Sequence, residues 1–277
     1  MMESCLTREE LLSNLNNGGV KMELLATGNS AQVYDLGDGT ICKLFKSGYS
    51  HTAVLREIRN AEIMNGTSLK TPKYIRLMQM DGRDGIVYSI IIGTDLLIEA
   101  QACMDEEGIL RILQDMMALQ KQLHRHESAE CISYKEFLRW HGCDNLNALR
   151  DGSTLCHGDF HPGNIIREKD GPLILLDFMN VCHGPKDYDI ARTYALLTDG
   201  LPDEKLRAFV GGTYLQLMGI SFKEIESYLA AVHLCRQQEM ANEGNVSPVG
   251  SERNGCPVGC PLKAEVTRTS QSKQAAG

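Results

Sequence analysis

The sequence lacks the features that would place the protein in several specialised classes. Its 277 residues contain no run of about eighteen uninterrupted apolar residues, so a membrane-spanning helix is not expected. The opening MMESCLTREELL has acidic residues where a secretory signal would be basic and then apolar. The formal net charge of -8 argues against the basic face of a nucleic-acid-binding protein. We therefore expect a cytoplasmic protein that binds neither membrane nor nucleic acid.

A cysteine framework for disulfides or zinc is also missing, since the closest pair, Cys256 and Cys260, has no second pair and no nearby histidine. The ten cysteines are scattered, and Cys42, Cys156 and Cys182 lie inside or beside apolar runs, where a free thiol behaves as a small apolar side chain. Apolar residues make up 43% and charged residues 23% of the chain, so neither general disorder nor a fibrous design is indicated. We expect a folded protein with reduced thiols and room for two lobes.

The first third of the chain has the pattern of an antiparallel sheet. From 20 to about 92, short runs rich in β-forming residues alternate with Gly, Asp and Asn, and the turns at 37–39 and 81–83 are hairpin signals. Between these runs, 52–65 has apolar residues at helical spacing. Residues 1–92 are therefore predicted to form an N-terminal lobe, an antiparallel sheet with one helix.

The remainder of the chain has mainly helical periodicity. Helices are predicted from 105 to about 126 and at 187–199, 203–218 and 221–238. Apolar pieces around LCHGD and PLILLDF predict a short β pair within 153–181. Residues 93–240 would form a helical catalytic and substrate lobe, whereas 241–277 lose all aromatic residues and predict a disordered tail. The predicted fold class is α+β.

The residues that suggest a reaction lie in HGDFHPGN, residues 157–164, and in the later LILLDF. Transfer of a phosphoryl group needs a carboxylate that accepts the proton of the attacking hydroxyl, and oxygen ligands for magnesium. Asp159 can be that base, and Asn164 and Asp177 can supply the metal oxygens. The glycines and the proline of the segment allow and fix a tight backbone path.

Two other interpretations of this segment remain open. It could be an ordinary polar turn between two strands, or His157, Asp159 and His161 could form a metal cluster on an extended strand, as in a metal-dependent hydrolase. The second interpretation gives Pro162 and Asn164 no role. We expect His161 to shape the loop and His157 to anchor it by hydrogen bonds.

Two features of the predicted sheet fit a nucleotide phosphate. The turn TGNSAQVY, residues 27–34, can lie over phosphates and offers backbone N–H groups and the Ser30 hydroxyl. In ICKLFK, Lys43 lies between apolar residues of a strand, where an unpaired lysine would be costly to bury. It needs the donor phosphates or a carboxylate of the next helix as a partner, with Glu57 as the first choice and Glu62 as the second.

The string HGDFHPGN followed by LLDF resembles the catalytic and metal-binding motifs of the aminoglycoside phosphotransferase and choline kinase superfamily. That superfamily has the two-lobed protein-kinase-like fold. The resemblance implies a catalytic base at Asp159, Mg²⁺ ligands at Asn164 and Asp177, and a pair between Lys43 and Glu57 that positions the donor phosphates. It also implies ATP, or GTP, as the phosphoryl donor.

The run GIVYSIIIG, residues 85–93, matches in position the strand and hinge that join the lobes in this superfamily. Backbone groups of that hinge usually bind the adenine, which implies nucleotide contacts at Ile90 and places Tyr88 near the back of the pocket.

Beyond the second motif, HGPKDYDIAR resembles the loop that leads into a helix in the superfamily. Asp187 or Asp189 is expected to cap this helix. Only ten residues separate Asp177 from Asp187, too few for a long regulatory segment, so we expect a constitutively active enzyme.

The sequence thus predicts an ATP-dependent phosphotransferase that moves the γ-phosphoryl group to a hydroxyl of a small molecule. The resemblance implies an acceptor of the aminoglycoside, choline, sugar or amino-acid type. The alternatives are a catalytically weak nucleotide-binding kinase-like module and the metal-dependent hydrolase with His157, Asp159 and His161.

Overall fold

A five-stranded antiparallel sheet forms the N-terminal part of the protein. The computed structural model describes residues 22–103, 105–169 and 171–244. The strand order is β1-β2-β3-β5-β4, and both predicted hairpin turns are present, with Gly37, Gly39, Asp81 and Gly82 at positive φ. The strands are β1 (Glu23–Thr27), β2 (Ala31–Asp35), β3 (Thr40–Phe45), β4 (Tyr74–Met80) and β5 (Arg83–Ser89).

The predicted helix of this lobe is α1 (His51–Asn65). It begins where the Ser50 hydroxyl accepts a hydrogen bond from the N–H of Ala53, which satisfies one of the unpaired donors of the first turn. Its buried face is mainly apolar, but it also carries two buried polar side chains, Glu57 and Asn60. Buried polar groups need partners, so these two indicate where the helix meets a functional or structural contact.

Helix α1 also contacts the C-terminal part of the chain. Asn60 Nδ2 donates to the carbonyl oxygens of Phe178 at 2.8 Å and Val181 at 3.3 Å. The Arg56 guanidinium lies over the Trp140 ring, 4.6 Å from its centroid. The helix is therefore held by both parts of the molecule.

The connection between the two parts is short. After β5, residues 90–92 lead into β6 (Gly93–Asp95), which pairs with a strand of the C-terminal part. A Cβ atom on Gly93 would lie 2.2 Å from the carbonyl oxygen of Arg167, so only glycine allows this close pairing. Because pairing with the second lobe begins at Gly93, we propose that the lobes divide between residues 92 and 93.

The C-terminal part is mainly helical. The predicted long helix and the three later helices are present, whereas two further helices of seven residues each were not predicted because they are too short to show a periodic pattern. The helices are α2 (Leu96–Ala102), α3 (Glu106–Leu123), α4 (Tyr134–Trp140), α5 (Lys186–Thr198), α6 (Glu204–Met218) and α7 (Phe222–Gly244).

Four short strands lie among these helices: β7 (Thr154–Cys156), β8 (Ile165–Glu168), β9 (Leu173–Leu175) and β10 (Cys182–Gly184). The expectation that the pieces around LCHGD and PLILLDF pair with each other is wrong. Strand β7 pairs with β10, and β8 lies between β6 and β9 and pairs with both. The chain turns at Pro162–Asn164 after leaving β7, and β8 then pairs with β9, the next strand along the chain. Residues 157–164 and 176–181 therefore both run between the two small sheets.

Helix α7 continues to Gly244, four residues into the stretch predicted as a tail. Residues 245–277 of that stretch lie outside the described residues. Within the part that the structure describes, no helix combines the length and apolar character needed to cross a bilayer. The seven cysteines of that part are free thiols, as expected.

Candidate active site

Asp159 lies in the segment that leaves β7, and its side chain is held from one side. Asn164 Nδ2 donates to the Asp159 carbonyl oxygen at 2.9 Å and to its carboxylate Oδ2 at 3.1 Å. His161 Nε2 lies 3.6 Å from the same Oδ2. The other oxygen, Oδ1, is buried and has no hydrogen-bond partner within the described residues. One carboxylate oxygen is thus fixed, while the other remains able to accept a proton.

The surroundings of Asp159 keep this carboxylate ionised. Burial by itself would raise the pKa of Asp159, but the neighbouring His161, with a smaller effect of Arg192, outweighs it and lowers the pKa below its usual value. At neutral pH the group is therefore the carboxylate form that general-base chemistry requires.

His157 anchors the segment, as expected. Its Nε2 lies 2.9 Å from the carbonyl oxygen of Leu176, and its Nδ1 lies 3.3 Å from the N–H of Asp159. Burial lowers the pKa of His157, so a neutral ring can donate from Nε2 and accept at Nδ1. With both nitrogens engaged by the backbone, His157 is not placed as a metal ligand. This geometry disfavours the hydrolase cluster of His157, Asp159 and His161.

Asp177 follows β9 and faces the N-terminal lobe. Its Oδ1 accepts a hydrogen bond from Lys43 Nζ at 3.1 Å. Its backbone has φ 59°, a left-handed conformation that is uncommon for residues other than glycine and that clusters at functional sites. The strand end and this turn together place the carboxylate beside the lysine of the other lobe.

Lys43 and Glu57 form a buried ion pair between β3 and α1. Lys43 Nζ lies 2.7 Å and 2.9 Å from the two carboxylate oxygens of Glu57, and both side chains are almost completely buried. Tyr88 donates from its hydroxyl to Glu57 at 3.2 Å. Glu62 is exposed on the same helix, so of the two candidate glutamates it is Glu57 that pairs with the lysine. Burial raises the pKa of Glu57, and the contacts with Lys43 oppose that rise.

The remaining predicted nucleotide contacts lie along the same sheet. Ser30 is buried in the turn between β1 and β2, and its carbonyl oxygen accepts from the Lys46 N–H at 2.9 Å. Ile90 follows β5, but its N–H donates to the carbonyl oxygen of Gly39 at 3.0 Å. That amide is therefore occupied, and the carbonyl of Ile90 is the backbone group that stays a predicted adenine contact.

Asp189 in α5 supports the catalytic segment from behind. Its Oδ1 accepts from the Gly158 N–H at 2.9 Å, and its Oδ2 lies 2.9 Å from Gln120 Nε2 and 2.8 Å from His124 Nε2. The side chain is fully buried. Burial would raise the pKa of Asp189, but the hydrogen bond and charge of His124, with the other donors, lower it instead.

The expectation that Asp187 or Asp189 caps this helix is wrong. The residue before α5 is Pro185, and no side chain caps the helix there. Asp187 forms an ion pair with Arg150 instead. Both acidic side chains of the first turn are therefore bound by groups of other parts of the chain.

Arg192, one helical turn after Asp189, was not singled out from the sequence. It is fully buried, donates from Nε to the carbonyl oxygen of Gly158, and lies with Nη2 2.6 Å from Glu239 Oε1 of α7. The available signal was that Asp189 and Arg192 are three positions apart in the helix, which places these opposite charges on one face.

The residues predicted to hold Mg²⁺ have suitable chemistry. Asn164 uses its amide nitrogen for Asp159, so Oδ1 is the atom that can bind a cation. Asp177 offers carboxylate oxygen, and magnesium prefers such oxygen ligands. The donor set therefore fits the ion.

Comparison with protein families matches residues 137–218 to a family described as phosphotransferase enzyme family. The matched stretch includes Asp159, Asn164 and Asp177 and excludes the N-terminal lobe. Comparison with curated proteins gives no match.

Solved structures of aminoglycoside phosphotransferases have a similar fold. APH(3'')-Id from Streptomyces rimosus, in complex with ADP and streptomycin, is 14% identical, with a TM-score of 0.59 over 80% of this chain and 96% of that chain. A ternary complex of APH(2'')-IIa with ATP and streptomycin is 16% identical, with a TM-score of 0.59 over 87% and 95%. APH(4)-Ia is 12% identical, with a TM-score of 0.61 over 85% and 91%. The predicted two-lobed kinase-like fold and the resemblance to this superfamily are confirmed.

Proposed function

We propose, on the premise of this kinase-like fold and the phosphotransferase family match, that the protein transfers the γ-phosphoryl group of ATP or GTP to a hydroxyl of a small molecule. One observation carries the proposal. Lys43 of the N-terminal lobe contacts both Glu57 and Asp177. The buried Oδ1 of Asp159 has no hydrogen-bond partner among the described residues, and the neighbouring His161 lowers the pKa of this carboxyl group. A lysine for donor phosphates, a metal carboxylate and a base are thus brought together by two lobes.

Asp159 would orient the acceptor hydroxyl and take its proton at Oδ1. Asn164 and His161 hold the other oxygen, so the carboxylate does not need to reorganise when the acceptor binds. Positioning of this kind can account for much of a phosphotransfer rate, because the transition state is loose and leaves little covalent chemistry to the protein.

The N-terminal lobe would bind the donor. Lys43 is held by Glu57 in a position to contact phosphate oxygens, and the turn that contains Ser30 would cover them. Tyr88 lies behind Glu57 and fixes it, so its contribution to nucleotide binding would be indirect. The backbone carbonyl oxygen of Ile90 would contact the purine ring of the nucleotide.

Mg²⁺ bound by Asn164 and Asp177 would neutralise negative charge on the donor phosphates. The contact with Lys43 Nζ holds the Asp177 carboxylate beside the proposed donor site of the N-terminal lobe. The acceptor would be of the aminoglycoside, choline, sugar or amino-acid type. The bound streptomycin of two structures with this fold makes an aminoglycoside the first class to test.

The decisive experiment measures ADP release with ATP and Mg²⁺ against a panel of aminoglycosides, choline, sugars and amino acids. We expect acceptor-dependent turnover with one class, and Asp159→Asn should remove it while nucleotide affinity stays unchanged. Unchanged turnover in Asp159→Asn would contradict the proposed role of the aspartate. Nucleotide binding without transfer to any acceptor would instead support the kinase-like binding module.

We further propose that the protein works in the cytoplasm. The buried free thiols, such as Cys156 and Cys182 on paired strands, support a reducing compartment. Fractionation of cells that express the full chain, followed by immunodetection, tests this location.

A further inference from the structure

The backbone N–H and carbonyl groups of Gly158, directly before Asp159, are both hydrogen-bonded by side chains of α5. Its N–H donates to Asp189, and its carbonyl oxygen accepts from Arg192 Nε. Gly158 has φ 74°, and a Cβ atom there would lie 2.2 Å from the carbonyl oxygen of Asn180. The backbone that leads into the base is therefore clamped between α5 and the segment after Asp177.

The Arg192 guanidinium needs compensation because it is fully buried. Glu239 of α7 supplies it, with Oε1 2.6 Å from Arg192 Nη2 and with no exposure to solvent. The same guanidinium lies 5.2 Å from the centroid of the Phe137 ring. The Nε and Nη2 atoms of one planar guanidinium thus join the catalytic segment to α7, a geometry that lysine cannot reproduce.

The surroundings of Glu239 could also suggest a metal ion. One ligand atom each of His141, Cys235 and Glu239 lies within 4.8 Å of the others, and all three residues are buried. However, Arg192 Nη1 lies 3.5 Å from Cys235 Sγ, and Nη2 contacts Glu239 directly. A dication there would face a guanidinium at close range. The cation that this cluster holds is Arg192 itself.

We propose that Arg192 and Glu239 are positioning residues for the catalytic base. Glu239 orients the Arg192 guanidinium, which holds the Gly158 carbonyl and thereby the Asp159 carboxylate in place. This inference rests on the proposed phosphotransfer and extends it to α7, an element outside the matched family segment. Both side chains are fully buried, and Arg192 contacts Gly158 and Glu239 rather than the residues proposed to bind the two substrates.

The first test is Arg192→Lys, which keeps the charge but cannot contact Gly158 and Glu239 together. We expect kcat to fall by about 10–100-fold, because small displacements of a reacting group have effects of that size. KM for both substrates and the Kd for ADP should stay within about threefold, since the substrate contacts are unchanged. Rates are divided by the number of ADP-binding sites in the same sample, so partial unfolding cannot imitate the effect.

The second test separates positioning from stability. In the double variant Arg192→Met with Glu239→Met, apolar side chains replace the buried pair, an exchange that other proteins tolerate well. We expect thermal stability near that of the wild type and a kcat still reduced by about tenfold or more, since the Gly158 carbonyl has lost its donor. Full recovery of kcat together with stability would overturn the proposal.

Tyr134→Phe is the matched control. It removes another buried hydrogen bond of the C-terminal lobe, from the Tyr134 hydroxyl to the carbonyl oxygen of Arg150, without touching the Gly158 peptide. It should lower thermal stability and leave kcat unchanged. An equal fall of kcat in this variant and in Arg192→Lys would show a general effect of destabilisation and overturn the proposal.

Amide hydrogen exchange gives a readout that does not depend on turnover. Exchange at Gly158 and Asp159 should be faster in Arg192→Lys and in the double variant, and unchanged in Tyr134→Phe. Unaltered exchange in the two Arg192 variants would contradict the positioning role. If the wild type transfers phosphoryl to no acceptor, the proposed function fails, yet the exchange result still decides whether Arg192 holds this peptide.

Discussion

The two halves of the candidate site are stabilised in different ways. On the nucleotide side, Lys43 contacts both Glu57 and Asp177 directly, so the residues proposed to act on the donor are held in place through this lysine. On the catalytic side, Asn164 and His161 hold one carboxylate oxygen of Asp159, and further support comes from Asp189 and Arg192, which bind the backbone of Gly158 and have no proposed contact with either substrate.

This difference predicts how each half responds to change. On the nucleotide side, a substitution removes a functional group and breaks a buried ion pair at once, so binding and stability should fall together. On the catalytic side, support and chemistry belong to different residues, so they can be separated by mutation. The following predictions test that contrast.

The largest effect is expected for Lys43→Met. Removal of the lysine leaves the buried Glu57 carboxylate without its cation, which should cost about 3–5 kcal/mol of unfolding free energy. Loss of the donor contact should lower kcat/KM for the nucleotide by about 100-fold or more. Urea unfolding and ADP-release kinetics measure the two losses. A full loss of activity at unchanged stability would contradict the mutual support described here.

Gly158→Ala tests the catalytic side against a matched glycine. Gly158 and Gly219 both have φ 74°, but an added Cβ meets the Asn180 carbonyl at the first position and nothing within 4 Å at the second. The left-handed conformation alone should cost about 1–2 kcal/mol in Gly219→Ala. The added clash should bring Gly158→Ala to about 2–5 kcal/mol. Equal losses of unfolding free energy in the two variants, measured by urea unfolding, would show that Asn180 can move away from the added Cβ at little cost.

A smaller effect is expected for Glu57→Gln, with Glu62→Gln as the control on the same helix. The glutamine keeps a hydrogen-bond acceptor for Lys43 but removes the charge, while Asp177 still contacts the lysine. We expect kcat/KM for ATP to fall by about tenfold in Glu57→Gln, a barrier increase of about 1.4 kcal/mol. Glu62 is exposed, so its variant should behave as the wild type. Equal effects of both changes would argue against the ion pair.

The smallest effect concerns pH and His157. Burial lowers its folded-state pKa below the ordinary 6.5, so its contribution to stability is present above pH 6.5 and is lost as pH falls below that value. His157→Asn should make the unfolding free energy less dependent on pH between 5.5 and 7.5, by at most about 1.4 kcal/mol per pH unit.

Urea unfolding at several pH values measures this slope, and His233→Asn, at a side chain that is 47% exposed, is the control. A slope that is the same in wild type and His157→Asn would mean that the buried ring is not what makes stability depend on pH.

The sequence predicted the parts of the molecule whose signals are local. The hairpins of the sheet follow from turn residues and alternation, and α1 follows from its apolar spacing. The need of a buried Lys43 for an anion was also predictable, although two glutamates were candidates until the fold placed Glu57 against it. The roles of Asp159, Asn164 and Asp177 came from a resemblance, and they remain predictions.

The parts that were missed depend on contacts between distant segments. Glu239 lies 47 positions from Arg192 and 81 from Gly158, and no local pattern links three elements over such distances. The partners of β7 and β9 were likewise missed: β9 pairs with its chain neighbour β8 and β7 with the more distant β10, and short apolar strands carry little information on partner or register.

The contacts of Asn60 have a consequence for control of the proposed enzyme. The same helix carries Glu57, and Asn60 binds the backbone carbonyls of Phe178 and Val181 just after Asp177. Rotation of this helix away from the C-terminal part would break the ion pair and both of these bonds together. Among the described residues we therefore expect no inactive conformation that this rotation reaches at low cost, and control of the proposed enzyme would come from outside it. Its output would follow the supply of nucleotide and acceptor and the amount of protein that the cell makes.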